Sequence, residues 1–150
     1  MDCDFIELRD LDKDLTRQII AIEQEAFKEG GMNSWFLPPF IRHGRVFLLI
    51  NQGQVLAAAE YMRDFTEISL AYLFGLAVKE EYRNQGLGYK LLDSAHSILR
   101  QDDITDVCLT VDPNNKTALR LYTKLGFKAK QLLPDEYGDG IHRQVWKLSL

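Results

Sequence analysis

Apolar residues follow two periods along this chain, and the alternation between them predicts its elements. From Phe5 to Arg9 apolar and polar positions alternate, with Ile6 and Leu8 on one side, as in a strand. Asp12 then stands where a helix N-cap belongs. Leu15, Ile19, Ile22 and Ala26 follow it at spacings of four, three and four, the stripe of an amphipathic helix. Gly30-Gly31 ends that helix. Ser34 to His43 is predicted as a short second helix with Pro38-Pro39 near its start. Arg45 to Ile50 and Gln54 to Arg63 form two strands around Asn51-Gln52-Gly53, a polar loop whose glycine suits a hairpin.

A third strand runs from Glu67 to Val78. It is nearly all apolar from Ser69 onward, which predicts a central strand buried on both faces. Gly75 inside it signals a bulge or a close approach. The polar segment Lys79 to Gln85 leads to a helix over Gly86 to Arg100, with Leu87, Leu91, Ala95 and Ile98 on one face. Asp106 to Val111 is a further strand. Asp112-Pro113-Asn114 is expected to cap a helix carrying Ala118, Leu121, Tyr122 and Leu125, which Gly126 stops. Phe127 to Leu133 and His142 to Leu148 close the chain as strands. The order β-α-α-β-β-β-α-β-α-β-β gives a mixed α/β sheet rather than a doubly wound one, because three strands run consecutively in its middle.

Composition narrows the function classes. The 150 residues are 46% hydrophobic and 27% charged, which fits one folded domain spanning residues 1–150. No run reaches the roughly 18–20 apolar residues of a membrane span, and the start, MDCDFIELRD, has no signal-peptide pattern. The two cysteines, Cys3 and Cys108, suggest neither a disulfide framework nor a metal site, so a reduced, cytoplasmic setting is expected. A net charge of −4 argues against nucleic acid as the main partner. The charge is uneven: residues 1–75 hold 7 Lys/Arg against 12 Asp/Glu, and residues 76–150 hold 11 against 10. A cation suits the first half and an anion the second; solvated faces account for the same counts.

Two segments carry candidate chemistry. Val78-Lys-Glu-Glu-Tyr-Arg83-Asn-Gln-Gly86-Leu-Gly88 takes a buried strand through a polar loop to a helix opened by two glycines. Free amides at such a start hold a phosphate or pyrophosphate. It is not a P-loop, since no Gly-x-x-x-x-Gly-Lys-Ser/Thr occurs. It is not the dinucleotide fingerprint either, because Leu91 takes the third glycine's place. In the second segment, Asn115 precedes Tyr122 by two helical turns, so both can look the same way. A helix cap and a core tyrosine explain the same residues.

Arg83-x-x-Gly86-x-Gly88 after a strand ending Leu76-Ala77-Val78, followed by Asn115-x-x-Ala118-x-x-Leu121-Tyr122-x-x-Leu125-Gly126-Phe127, resembles the GCN5-related N-acetyltransferases. The match is closest in style to the ribosomal-protein N-terminal acetyltransferase branch. The resemblance covers residues 70–128 in motif and the whole chain in element order. It implies an acetyl-CoA cleft between two splayed parallel strands, here those ending at Val78 and Val111. Backbone groups of Leu76, Ala77 and Val78 would pair with the pantetheine arm. The amides of Arg83, Asn84, Gln85, Gly86, Leu87, Gly88 and Tyr89 would hold the pyrophosphate. Asn115 would touch the pantetheine or the cleft wall, Tyr122 would sit near the sulfur, and Lys124 or Lys90 would meet the outer phosphates. No metal is implied. A homodimer, common in the family, is compatible with the resemblance.

The implied reaction is direct attack by an amine in a ternary complex. A backbone N–H near Leu76 would stabilise the oxyanion, and Tyr122 would protonate the departing thiolate. Neither cysteine sits in a nucleophile's setting. The expected bases are missing: Thr110 stands where the N-terminal branch often has Glu, and Phe74 and Gly75 stand where other branches carry acids. Glu60 is the first substitute, with Glu25 and Glu67 behind it, although the ordinary reading of each is a surface carboxylate. An ordered water chain is the other route, and His142 and Tyr137 are further candidates to line the acceptor site. The N-terminal helices carry Glu23, Glu25, Glu29, Trp35 and Phe36, a wall suited to an amine with an apolar body, if the two aromatics are not core. Leu132-Leu133 stand where the peptide branch favours tyrosines. A small amine is therefore preferred to a protein N-terminus or lysine. A CoA-binding module without turnover is the alternative from another class.

Overall fold

The computed structural model describes residues 2–150. The elements are β1 (Asp4–Glu7), α1 (Lys13–Phe27), α2 (Leu37–His43), β2 (Arg45–Asn51), β3 (Gln54–Arg63), β4 (Leu70–Val78), α3 (Leu87–Gln101), β5 (Asp106–Val111), α4 (Lys116–Leu125), β6 (Lys128–Leu133) and β7 (Arg143–Ser149), in the predicted order. They build one open seven-stranded sheet, β1-β2-β3-β4-β5-β7-β6. Only β4 and β5 run parallel. The last strand, β7, inserts between β5 and β6.

Helices cover both faces. On one, α1 and α2 bury Ile19, Ile22, Leu37 and Ile41 against Val46, Leu48, Val55, Ala58 and Ala77. On the other, Leu87, Leu91, Leu92 and Ala95 of α3 and Tyr122 of α4 pack on Phe47, Ala59, Tyr61, Leu73, Leu109 and Phe127. Each fully buried leucine removes enough apolar surface to contribute about 1.5–3 kcal/mol.

Four local expectations change. The strand buried on both faces is β3, where Val55 to Tyr61 are all buried. Its alanines, Ala57 to Ala59, let helices approach from either side. By contrast β4 is only partly buried, with Phe74 43% exposed. Phe74 is open because β4 loses its neighbour β5 at that point. The second helix begins at Leu37 rather than Ser34. The Asn33 side-chain oxygen accepts from the amides of Trp35 (2.9 Å) and Phe36 (3.1 Å), which holds Ser34 to Phe36 in a turn. The cap of α4 is Asn115, whose Oδ1 accepts from the Ala118 amide at 3.2 Å. Asp112 instead accepts from the Asn114 amide at 2.9 Å, forming the turn before it. The first strand spans Asp4–Glu7 rather than Phe5 to Arg9, a shift at its frayed ends.

Candidate active site

The sheet opens where β4 and β5 part. Their parallel pairing runs from Leu70–Asp106 to Leu73–Leu109 and stops. On its other edge β4 stays paired with β3 as far as Val78–Ala57. The register against β3 steps between Glu60–Gly75 and Tyr61–Leu73, leaving Phe74 as the extra residue of a bulge. A bulge bends its strand and increases its twist, which carries β4 away from β5. From Phe74 to Val78 the β4 edge that faces β5 therefore has no ladder partner. An extended chain would find unpaired backbone donors and acceptors there, where Leu76, Ala77 and Val78 were expected to hold the pantetheine arm. The Val78 carbonyl is already taken, since it accepts from Arg83 Nε at 3.0 Å.

The loop after β4 is braced from α1. Glu25 Oε1 accepts from the Glu80 amide at 2.8 Å and lies 3.6 Å from Arg83. Asn84 (φ 62°) and Gly86 (φ 79°) are left-handed, and no side chain caps α3. The first intrahelical bond is Lys90 N–H to the Gly86 carbonyl, so the amides of Leu87, Gly88 and Tyr89 lie before it, as an anion site requires. The glycines differ in role. Gly86 supplies the positive φ, whereas a Cβ on Gly88 would come within 3.1 Å of Leu121, so Gly88 lets α3 pack against α4. Lys124 lies over the Tyr89 ring (4.7 Å to its centre), and Lys90 Nζ approaches Cys3 Sγ at 3.3 Å.

On the α3/α4 side, Tyr122 is buried and packs on Phe127, with ring centres 5.5 Å apart. Burial first, and then nearby Tyr72, pushes its hydroxyl's pKa up. It therefore keeps its proton at neutral pH, the state a general acid needs. Tyr72 is pushed up to about 12, mainly by burial, and its hydroxyl lies 3.0 Å from Thr110 Oγ1. The threonine at the position where a Glu was sought is thus engaged with a tyrosine.

On the α1/α2 side two carboxyls are buried together. Glu60 is not a surface carboxylate: it is 0% exposed, and Glu23 of α1 is 2% exposed. Both carboxyls converge on Gly75. A Cβ placed there would stand 3.3 Å from Glu23 Oε1 and 3.5 Å from Glu60 Oε2. The chain after α1 folds back over Glu23 so closely that a Cβ on Gly31 would lie 2.6 Å from the Glu23 carbonyl. Glu60 Oε1 and Oε2 and Glu23 Oε1 find no donor among the other described residues. Two carboxyls in contact form a hydrogen bond only if one is protonated. Burial, then the Glu23 carboxyl, raises Glu60 well above the usual carboxylate range. Burial raises Glu23 as well, while the bond from Glu60 and the Met32 backbone amide pull it back. Burial therefore disfavours the charged form of both carboxyls.

Glu23 had been assigned to the acceptor wall. The signal was present, since Glu23 lies four residues after Ile19 and so falls within the apolar stripe of α1. Trp35 and Phe36 are not core residues; they are 85% and 59% exposed. His142 clips the β6–β7 loop, where its Nδ1 accepts from the Asp135 amide at 3.0 Å. Tyr137 is exposed beneath Arg143, whose guanidinium lies 5.0 Å from its ring centre. Glu67 is exposed on the β3–β4 turn. Asn115 Oδ1 caps α4 by accepting from the Ala118 amide.

The profile of the Acetyltransferase (GNAT) family matches residues 8–127. An N-alpha-acetyltransferase of Sulfurisphaera tokodaii is 34% identical over 76 residues, 50% of this chain and 46% of that protein. The [ribosomal protein bS18]-alanine N-acetyltransferase of Escherichia coli is 32% identical over 93 residues, 61% of this chain and 60% of that one. The matches therefore span about half the length of these relatives. The solved structure of Ard1 from Thermoplasma volcanium superposes with a TM-score of 0.82 at 21% identity, covering 97% of each chain; the fold is shared.

Proposed function

Because the chain belongs to the acetyltransferase (GNAT) family, we propose that it transfers the acetyl group of acetyl-CoA to a primary amine of a small molecule, by direct attack in a ternary complex. The observation that carries this reading is the parting of β4 from β5 after Leu73 and Leu109. It exposes an unpaired strand edge between a buried tyrosine on one face and a buried carboxyl on the other. That edge suits the pantetheine arm, and the uncapped start of α3 suits the pyrophosphate.

The residues divide the work. The amides of Asn84 to Tyr89 and the Arg83 guanidinium hold the phosphates. A β4 amide at Leu76, beyond the bulge, polarises the thioester carbonyl. Tyr122 supplies a proton to the departing sulfur, for which its raised pKa keeps it ready. Glu60 receives a proton from the amine. Exposed Trp35 and Phe36, with Phe74 at the bulge, offer an apolar surface to the body of the acceptor. Two free thiols, Cys3 and Cys108, fit a reducing cytoplasmic setting.

A second reading, a protein N-terminus as acceptor, is favoured by the printed names of the two relatives. Thiol release from acetyl-CoA across a panel of small amines and N-terminal peptides separates the two. Release with small amines supports the first reading, and release with peptides alone moves the acceptor to the second. Tight acetyl-CoA binding without release for any acceptor would leave a binding module.

A further inference from the structure

We propose that Glu23 and Glu60 act as one proton-sharing base, which recognises the acceptor as an ammonium ion and takes its proton; this rests on the acetyltransferase reading above. The two carboxyls meet at Gly75, in a space kept open by the missing side chain. Gly75 lies between the bulged Phe74 and Leu76, at the point where β4 leaves β5. The pair therefore lies beneath α1 and beside the split.

No cation neutralises it. Opposite Glu60, β2 presents Val46, and β4 presents Gly75. The segment after α1 presents the Met32 amide, and α2 turns Leu37 and Ile41 inward while Arg42 and His43 are exposed. Each carboxyl is thus the only titratable group acting on the other. Stability does not explain such an arrangement, since apolar side chains of similar volume would fill the space without burying charge. Both Glu60 oxygens are fully buried and unmet by any donor from the rest of the described chain. One proton and one negative charge shared by two carboxyls match the needs of a primary ammonium, which brings both charge and N–H donors.

The step balances. The ammonium gives one proton to the pair, and the freed nitrogen forms a C–N bond as the C–S bond breaks. A second N–H proton reaches the sulfur by way of the Tyr122 hydroxyl. The products are amide, thiol and one proton on the pair, later released to solvent.

Three variants test this, with both kinetics and stability as readouts. Glu60→Gln is expected to lower kcat by about 10²–10⁴-fold, with acetyl-CoA affinity unchanged. Glu23→Gln leaves a single buried carboxyl in place of the pair, so the acid limb of the kcat/KM profile is displaced. Gly75→Ala crowds Glu23 without removing an ionisable group, and it should displace the same limb. Independently of turnover, urea unfolding should show that the wild type loses stability relative to the double Gln variant as pH rises above the usual carboxylate range. The folded pair retains a proton that the unfolded chain gives up there. Unmoved pH profiles with undiminished kcat, or equal stability slopes for wild type and double variant, would overturn the proposal. Failure of the underlying reading looks different: the wild-type stability slope persists, but no amine releases thiol, and the proposal falls with the reading.

Discussion

Glu60 and Tyr61 are neighbours on β3, yet they serve opposite faces of the sheet. Tyr61 points under α3, where its hydroxyl meets His96 Nε2 at 3.0 Å. Glu60 points under α1 and meets only another acid. Both sites bury titratable groups almost completely. The Tyr61–His96 pair is neutral and satisfied, and burial lowers the His96 pKa to about 4. The Glu23–Glu60 pair is short of donors, and it borders a glycine at the split. A satisfied polar pair stabilises a unique packing, whereas an underbonded buried one costs stability.

The comparison can be broken at four points. The largest effect is expected on the reacting side of the α3/α4 face. Tyr122→Phe should lose about 10²–10⁴-fold in kcat with acetyl-CoA affinity retained, and an unchanged kcat would leave that face purely structural. Next comes pH. His96 titrates at 6.5 when unfolded and at about 4 when folded. Stability should therefore fall as pH drops from 6.5 toward 4, by roughly 3 kcal/mol at about 1.4 kcal/mol per pKa unit. The carboxyl pair tilts the opposite way, losing stability as pH rises, so calorimetry on Glu23→Gln/Glu60→Gln should steepen the acid loss. Third, Tyr61→Phe leaves a buried His96 nitrogen unpaired and should cost about 1–3 kcal/mol with kcat unaltered. The smallest effect belongs to Asn115→Ala. Losing the α4 cap should cost about 1 kcal/mol, and an unchanged KM for acetyl-CoA would confine Asn115 to capping.

Much of this architecture was written in local pattern. The stripe of α1, the hairpin at Gly53 and the glycine stop of α4 are settled by residues within a turn or two of each other. Gly75 marked a bulge from its setting alone, and the glycines of the Arg83–Gly88 segment marked the start of α3. Elsewhere local reading erred because a distant neighbour decided the outcome. The apolar run of β4 looked doubly buried, but burial at Phe74 depends on whether β5 stays alongside. Trp35 and Phe36 looked equally suited to core and wall, and the Asn33 turn holds them outward.

The sequence by itself determined the order of elements, the family motifs and an acidic first half with 12 Asp/Glu. It did not determine which of those acids matter, because acidity along a chain says nothing about burial across a sheet. Among the described residues, Glu23 and Glu60 are the only acids that the fold buries. They lie 37 positions apart in number and share one space only because α1 lies across β3 at Gly75. Desolvation, which raises both carboxyls, exists only once that packing has formed.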